Sequence, residues 1–285
     1  MSRPRVYIFP AMPATTQPIR WTQQQPAPAA LAERVEFLLW VPPKASITWE
    51  HEVIPDANVD LLLELSDERC RAFLYGPLTR SIHVPTQAGY GYFVVHFHPG
   101  AMPRLVDASP AELVNGAVEL KEFGGISLDT LGERMLAAGS LEPMCQVLTP
   151  LLQRVPYPPG DSFDRALRHM LARPETLRPG ALADALHLST RTLQRAFKER
   201  VGFSPGTYAR IARLQEALSA LREHPTRSIS EVAHRVGYAD HAHMTREFRE
   251  LTGRTPSDFR QPAAAPTPVA FVQAPGEVRH VASGP

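Results

Sequence analysis

Laid against itself with residue 193 over residue 244, the chain repeats. "LQRAFKERVGFSPGTY" (193–208) falls on "MTREFRELTGRTPSDF" (244–259). Arg195 then meets Arg246, Phe197 meets Phe248, Lys198 meets Arg249, Gly202 meets Gly253, Pro205 meets Pro256 and Tyr208 meets Phe259. Upstream, with one residue inserted in the second copy, "LADAL" (182–186) falls on "VAHRV" (232–236). The C-terminal third must therefore be built from two copies of one supersecondary unit.

Each copy reads as two short helices joined by a tight turn, the helix-turn-helix plan. In copy one "ALADALHL" forms the first helix and Ser189 caps the second, "TRTLQRAFKERV". In copy two Ser228 and Glu231 make a capping box, Gly237 ends the first helix and Asp240 caps the second. Leu193 and Phe197, like Met244 and Phe248, are four apart and share a buried face. Thr190, Arg191, Gln194 and Arg195 are left facing outwards in copy one, and His241, Ala242, Thr245 and Arg246 in copy two. Between the copies, Ser204 and Pro205 open a strongly periodic helix of about 19 residues, a rod of roughly 28 Å. One turn of duplex DNA is about 34 Å, so such a rod can seat two recognition helices in successive major grooves.

Charge agrees with this partner. Lys plus Arg against Asp plus Glu is 16 to 19 over residues 1–179 but 13 to 9 over residues 180–261, and twelve of those thirteen cations are Arg. The guanidinium fork suits phosphates and guanine edges. His241 and His243 make poor zinc ligands, because an i, i+2 pair on a helix points about 200° apart.

Residues 1–100 read differently. "VEFLLWV", "SITWEHEV", "NVDLLLEL", "CRAFLYG", "SIHV" and "YGYFVVHF" are short β-type runs at the spacing of a sandwich or small barrel. From residue 107 the pattern turns helical: "SPAELVNG" starts with Ser109 as cap and Pro110 at the first position, followed by "SLDTLGERMLAAG" and "LEPMCQVLTPLLQRV". The last of these is either a dimer surface or a helix packed on its own barrel. "PYPPGD" (156–161) is the clearest linker, a helix "SFDRALRHMLARP" follows it, and residues from 262 read as a mobile tail.

Residues 180–261 resemble the DNA-binding domain of the AraC/XylS family of bacterial transcription regulators, on "LADALHLSTRTLQRAFKERVGFSPGTY" and "ISEVAHRVGYADHAHMTREFRELTGRTPSDFR". The resemblance implies base contacts from Thr190, Arg191, Gln194, Arg195, Asp240, His241, Ala242, His243 and Arg246. The chemistry agrees, since Arg and Gln pair bidentately with guanine and adenine edges while Thr and Ala touch thymine methyls. His-Met at 243–244 departs from the family's usual aromatic or Leu core residue with polar neighbours, and the alternative for His243 is a half-buried ring beside core Met244. The front part is similar to an uncharacterised N-terminal domain found ahead of such DNA-binding domains, on "VIPDANVDLLLEL", "FLYGPLTRSIHV" and "FVVHFHPGAMPRL"; that similarity implies a cupin-like fold and a role in effector sensing or dimerisation.

The expected architecture is α+β: a β-rich cupin-like domain with flanking helices over residues 1–155, a linker and leading helix over 156–179, an all-α double helix-turn-helix over 180–261 and a disordered tail over 262–285. Effector candidates are Arg80, beside a Gly-Pro turn where a cation could hold a carboxylate, and His96 with His98, two apart on a strand and able to chelate or line a cavity. For Arg80 the alternative is a surface arginine paired to an acid. "HFHPG" lacks the glutamate that metal cupins carry a few residues on, and His51 and His83 are third ligands only if the fold brings them near. No metal, cofactor or chemistry of its own is expected. Trp40, Trp49 and Tyr92 read as core.

The rivals are a metal-dependent cupin enzyme with a DNA-binding appendage, a DNA-repair alkyltransferase, and a constitutive DNA binder whose front domain only dimerises. Neither "ERCRAF" nor "PMCQVL", around the two cysteines, resembles an activated-cysteine motif. The expected partners are double-stranded DNA, a small-molecule effector, a second copy of the chain and, for an activator, RNA polymerase. The expected location is cytoplasmic, since the sequence shows neither a signal peptide nor a run of roughly 20 apolar residues.

Overall fold

The computed structural model describes residues 6–8, 23–43, 50–157, 167, 184 and 188–260. In chain order these form β1 (Val6–Ile8), β2 (Gln23–Pro26), β3 (Val35–Val41), β4 (Glu50–Val53), β5 (Val59–Leu65), β6 (Cys70–Tyr75), β7 (Ile82–Pro85), β8 (Gly91–Phe97), a 3-10 turn (Pro110–Leu113), β9 (Gly116–Leu120), β10 (Glu122–Phe123) and β11 (Ile126–Ser127). Helices follow: α1 (Leu128–Ala138), α2 (Leu141–Arg154), α3 (Thr190–Arg200), α4 (Pro205–Glu223), α5 (Ile229–Arg235), α6 (His241–Thr252) and a 3-10 turn (Pro256–Phe259). No helix among the described residues is long and apolar enough to cross a membrane.

The antiparallel sheet runs β1-β9-β6-β5-β8-β3-β2, with β4 and β7 paired separately. All seven residues of β5 and of β8 are buried, because both faces of the sheet are covered, and β5 accordingly carries apolar residues on both faces, with Asp60 and Glu64 as its buried charges. On one face Leu61, Leu63, Phe93 and Val95 meet Leu131 and Met135 of α1 and Met144, Leu148 and Leu152 of α2. On the other, Leu39, Leu62, Phe73, Tyr92 and Val94 meet Val53 and Ile82 of the small β4–β7 sheet. The sheet domain thus has a layer on each side, and Trp40 and Tyr92 are core residues as read from sequence. Trp49, the linker, the helix "SFDRALRHMLARP" and the tail lie outside the described residues, apart from single positions.

One expectation is corrected and one open choice is resolved. The region after residue 107 is not wholly helical: β9, β10 and β11 intervene, and β9 pairs with β6 in the main sheet. The five residues "GAVEL" are too few to register as a strand beside the stronger helical periods around them. The helix "LEPMCQVLTPLLQRV" also resolves between its two readings, since Leu141, Met144, Cys145, Leu148, Leu151 and Leu152 are spent on its own sheet rather than left for a second copy.

The repeat is reproduced in three dimensions. Gly202 and Gly253 both take left-handed backbone, at φ 98° and 72°. Phe197 meets Tyr208 and Phe248 meets Phe259 edge to face, each with ring centres 5.8 Å apart. The rod is α4, 19 residues long, with Ser204 accepting a hydrogen bond from Thr207 N. Its first half packs Tyr208, Ala209 and Ile211 on the core of copy one, and its second half packs Leu214, Leu218 and Leu221 on copy two. The stretch read as the first helix of copy one falls at residues that are not described, save Asp184 and Leu188.

Candidate nucleic-acid interface

The caps that aim the two recognition helices are those the sequence implied. Ser189 Oγ accepts from Thr192 N at 3.1 Å and so starts α3. Asp240 Oδ1 accepts from His243 N at 2.6 Å to start α6, and that bond holds the Asp240 carboxyl below its ordinary value. The Ser228–Glu231 capping box is formed in α5.

Burial of Leu193 and Phe197 turns Thr190, Arg191, Gln194 and Arg195 outwards, and all four are exposed. Burial of Met244, Phe248 and Leu251 leaves Asp240, His241, Ala242 and Arg246 exposed in the same way. Thr245 is half-buried and donates its hydroxyl to His241 O at 2.8 Å. His243 departs from this set. Its ring is half-buried, meets Tyr238 edge-on at 5.4 Å, and its Nε2 stands 3.9 Å from Glu247. Copy two therefore presents four of its five candidate residues to solvent.

The sheet domain grips the other side of this unit. Arg254 Nη1 donates to Glu52 Oε2 at 2.6 Å, Ser81 N to Leu251 O at 2.7 Å, and Gln215 Nε2 to Pro55 O at 2.6 Å. Ile54 packs on the core of copy two and Ala57 joins the core of copy one, so the short segment 54–57 touches both copies. At Gly202 an added Cβ would lie 2.9 Å from Pro110 O, which places the turn of copy one directly on the 3-10 turn of the sheet domain. These contacts fall on residues other than the nine read as base contacts.

The effector candidates do not converge as a chelate. His96 lies on β8 and is buried, stacked on Phe37 at 4.2 Å, with Nδ1 2.5 Å from Asp60 Oδ1. Its Nε2 stands 3.9 Å from Glu36 and 4.0 Å from Asp56. Burial alone would lower the imidazole, but the charge and hydrogen bond of Asp60, with Asp56 and Glu36 behind, raise it to about 9. Burial raises the Asp56 carboxyl to about 7, against the pull of His96. β8 ends at Phe97, so strand alternation does not carry His98 onto the face of His96; its ring instead approaches Ala32 O at 3.2 Å. Arg80 is half-buried between Thr79 and Ser81, next to the contact of Ser81 N with Leu251 O. His83 stands opposite Glu52 in the β4–β7 ladder, with both ring nitrogens buried and without a hydrogen-bond partner. Among the described residues no group of three or more His, Cys, Asp or Glu is arranged to hold a metal.

What sequence reasoning missed is the segment 52–57 and the carboxylate of Glu247. The first looks like a strand end and turn. The second has a signal: it occupies an inward helical position, between Met244 and Leu251, where an apolar residue is the rule.

Among the described residues, two capped helices stand at the two ends of one rod, each showing an exposed polar face, and the second completes a helix-turn-helix with the helix before it. Residues 182–262 match the family described as a helix-turn-helix domain, and residues 23–119 match one described as a domain of unknown function, DUF6597. The HTH-type transcriptional activator RhaS of Escherichia coli O1:K1 / APEC is 38% identical over 81 residues, 28% of this chain and 29% of RhaS. The chain thus matches less than a third of the length of such curated relatives. A transcriptional regulator with an AraC-type DNA-binding domain from Chromobacterium violaceum is 28% identical, covering 36% of this chain and 91% of its own at a TM-score of 0.33. Fatty acid-bound ToxT from Vibrio cholerae strain SCE256 is 9% identical, covering 78% of this chain and 94% of its own at a TM-score of 0.43. The C-terminal part of this chain thus matches a helix-turn-helix domain.

Proposed function

We propose that the chain is a sequence-specific DNA-binding regulator of transcription, without enzymatic chemistry, whose sheet domain answers to a small-molecule effector. The observation that carries this reading is the pair of exposed recognition faces at the two ends of a 19-residue helix, held there by buried cores. In this reading Thr190, Arg191, Gln194 and Arg195 read one major groove, and His241, Ala242 and Arg246 read the next, with Asp240 acting first as the helix cap. His243 serves the interior of the motif. Residues 1–155 form the sensing part, 156–179 the connection, 180–261 the DNA-binding part and 262–285 a tail.

Effector sensing is supported by the grip of segment 52–57 on both motifs, since a ligand that shifts the sheet domain acts through that contact on their relative placement. Arg80 and His96 remain the candidate effector residues, Arg80 at the junction and His96 behind segment 54–57; His98 is a weaker one because it leaves the strand. A second copy of the chain and, for an activator, RNA polymerase complete the proposed partners, in the cytoplasm.

The test is selection of genomic fragments by the purified full chain at a fixed, stated salt concentration. One enriched motif with two parts about one helical turn apart is the expected result. Enrichment that follows base composition alone, and vanishes uniformly as salt rises, would reject sequence-specific reading.

A further inference from the structure

At one inward position the second copy carries a charge where the first does not. Copy one has Ala196 there, packed against its core, and copy two has Glu247, 7% exposed. A carboxylate in that place needs partners. Arg210 Nε donates to Glu247 Oε1 at 2.7 Å, Arg213 Nη1 stands 3.7 Å from Oε2, and His243 Nε2 stands 3.9 Å from Oε1. Arg210 also pairs with Glu250, and the Arg213 guanidinium lies 5.1 Å over the Tyr238 ring.

Position in the fold gives this cluster its meaning. Arg210 lies on α4 between Ala209 and Ile211, which belong to the core of copy one, while Glu247 lies on the recognition helix of copy two. Arg246, the exposed base-reading candidate, is the next residue to Glu247, so whatever fixes the one aims the other. Apolar packing alone is non-directional and lets a helix settle over a range of rotations. A charge-assisted hydrogen bond from the partly exposed Arg210 guanidinium to the buried Glu247 carboxylate selects one. Such a pair adds little stability over apolar residues of similar size, so its contribution is geometric.

Resting on the DNA-binding reading above, we infer that Glu247 and Arg210 are positioning residues that fix the rotation of the second recognition helix on α4, and with it both the bases read by copy two and the spacing between the two halves of the site. Copy one carries Ala196 at the same place, a side chain that cannot make that bond.

The test compares full-length wild type with Arg210→Met/Glu247→Met, and with Glu247→Gln alone, by base-preference profiling on a selected site and on versions with one base pair added or removed between its halves. Circular dichroism melting accompanies each. The double variant should melt near wild type while its discrimination in the second half falls from the roughly tenfold or more of an ordinary mismatch to less than about threefold, with a matching loss of spacing preference and an unchanged first half. Glu247→Gln should move the same readouts part of the way. Unchanged second-half preference and spacing in a folded double variant would overturn the inference; should that variant not fold, unchanged profiles in Glu247→Gln would do the same. A wild-type chain that selects no sequence would instead reject the DNA-binding reading itself.

Discussion

Arg254 and Glu52 are 202 positions apart in sequence and 2.6 Å apart in space, one on the last turn of the DNA-binding unit and the other on β4 of the sheet domain. The Glu52 side chain is 3% exposed, and its second oxygen has no hydrogen-bond partner, so Arg254 is the group that makes its charge tolerable. Arg254→Ala should therefore destabilise the protein by about 2–3 kcal/mol, and adding Glu52→Ala should recover part of the loss. Chemical denaturation of both single variants and the double gives the coupling directly. Strict additivity would mean that the pair does not hold the two parts together.

The His96 cluster makes stability depend on pH in one direction. In the fold the imidazole rises from 6.5 to about 9, so the stability it contributes is complete below 6.5 and is lost as pH rises through about 9. The Asp56 carboxyl rises from 3.8 to about 7, so the folded chain again binds more protons than the unfolded one and stability falls across that range as well. Melting temperature should drop between about pH 5 and about pH 9, and His96→Gln should flatten the upper part of that slope. A melting temperature that climbs over the interval would contradict the assignment.

Much of this architecture is legible in the amino-acid sequence itself. The repeat, Ser189, Ser204, Ser228 and Asp240 as caps, and Gly202, Gly237 and Gly253 at positive φ all follow from local rules that act within a few residues. The β-runs are legible for a similar reason, since five of the six quoted runs form β3, β5, β6, β7 and β8 nearly as read, and "SITWEHEV" survives in β4. What stays hidden is non-local. Nothing near Glu52 announces Arg254, strand alternation does not say that β8 stops one residue before His98, and β9 is defined by its partner β6 more than by its five residues. For His243 the sequence leaves two readings open, a base contact and a half-buried ring beside Met244, and the ring is half-buried, beside Glu247 and Tyr238.

Met244 is fully buried beside Phe248 and Leu251 in the core of copy two. Met244→Asp places a charge there without a partner and should unfold the second motif, seen as a loss of helical circular dichroism and of the second half of the DNA footprint. Full affinity in that variant would show that the register assigned to α6 is wrong.

Cys70 and Cys145 are buried and free, and burial pushes both thiols up to about 12. Thiolate is thus scarce at neutral pH, and a thiol reagent should label neither residue in the native protein but both after unfolding. Rapid native labelling of Cys70 or Cys145 would revive a reading in which a cysteine acts as a nucleophile.

The central claim is that two separate helix faces read two separate grooves, and it is tested most directly by base-by-base binding profiles of Arg191→Ala and Arg246→Ala on one selected site. Each substitution should cost about 1–3 kcal/mol and erase preference at its own position only, the two positions lying about one helical turn apart. Uniform weakening across all sequences in both variants would reduce these arginines to phosphate contacts, and loss at one shared position would contradict the two-groove arrangement.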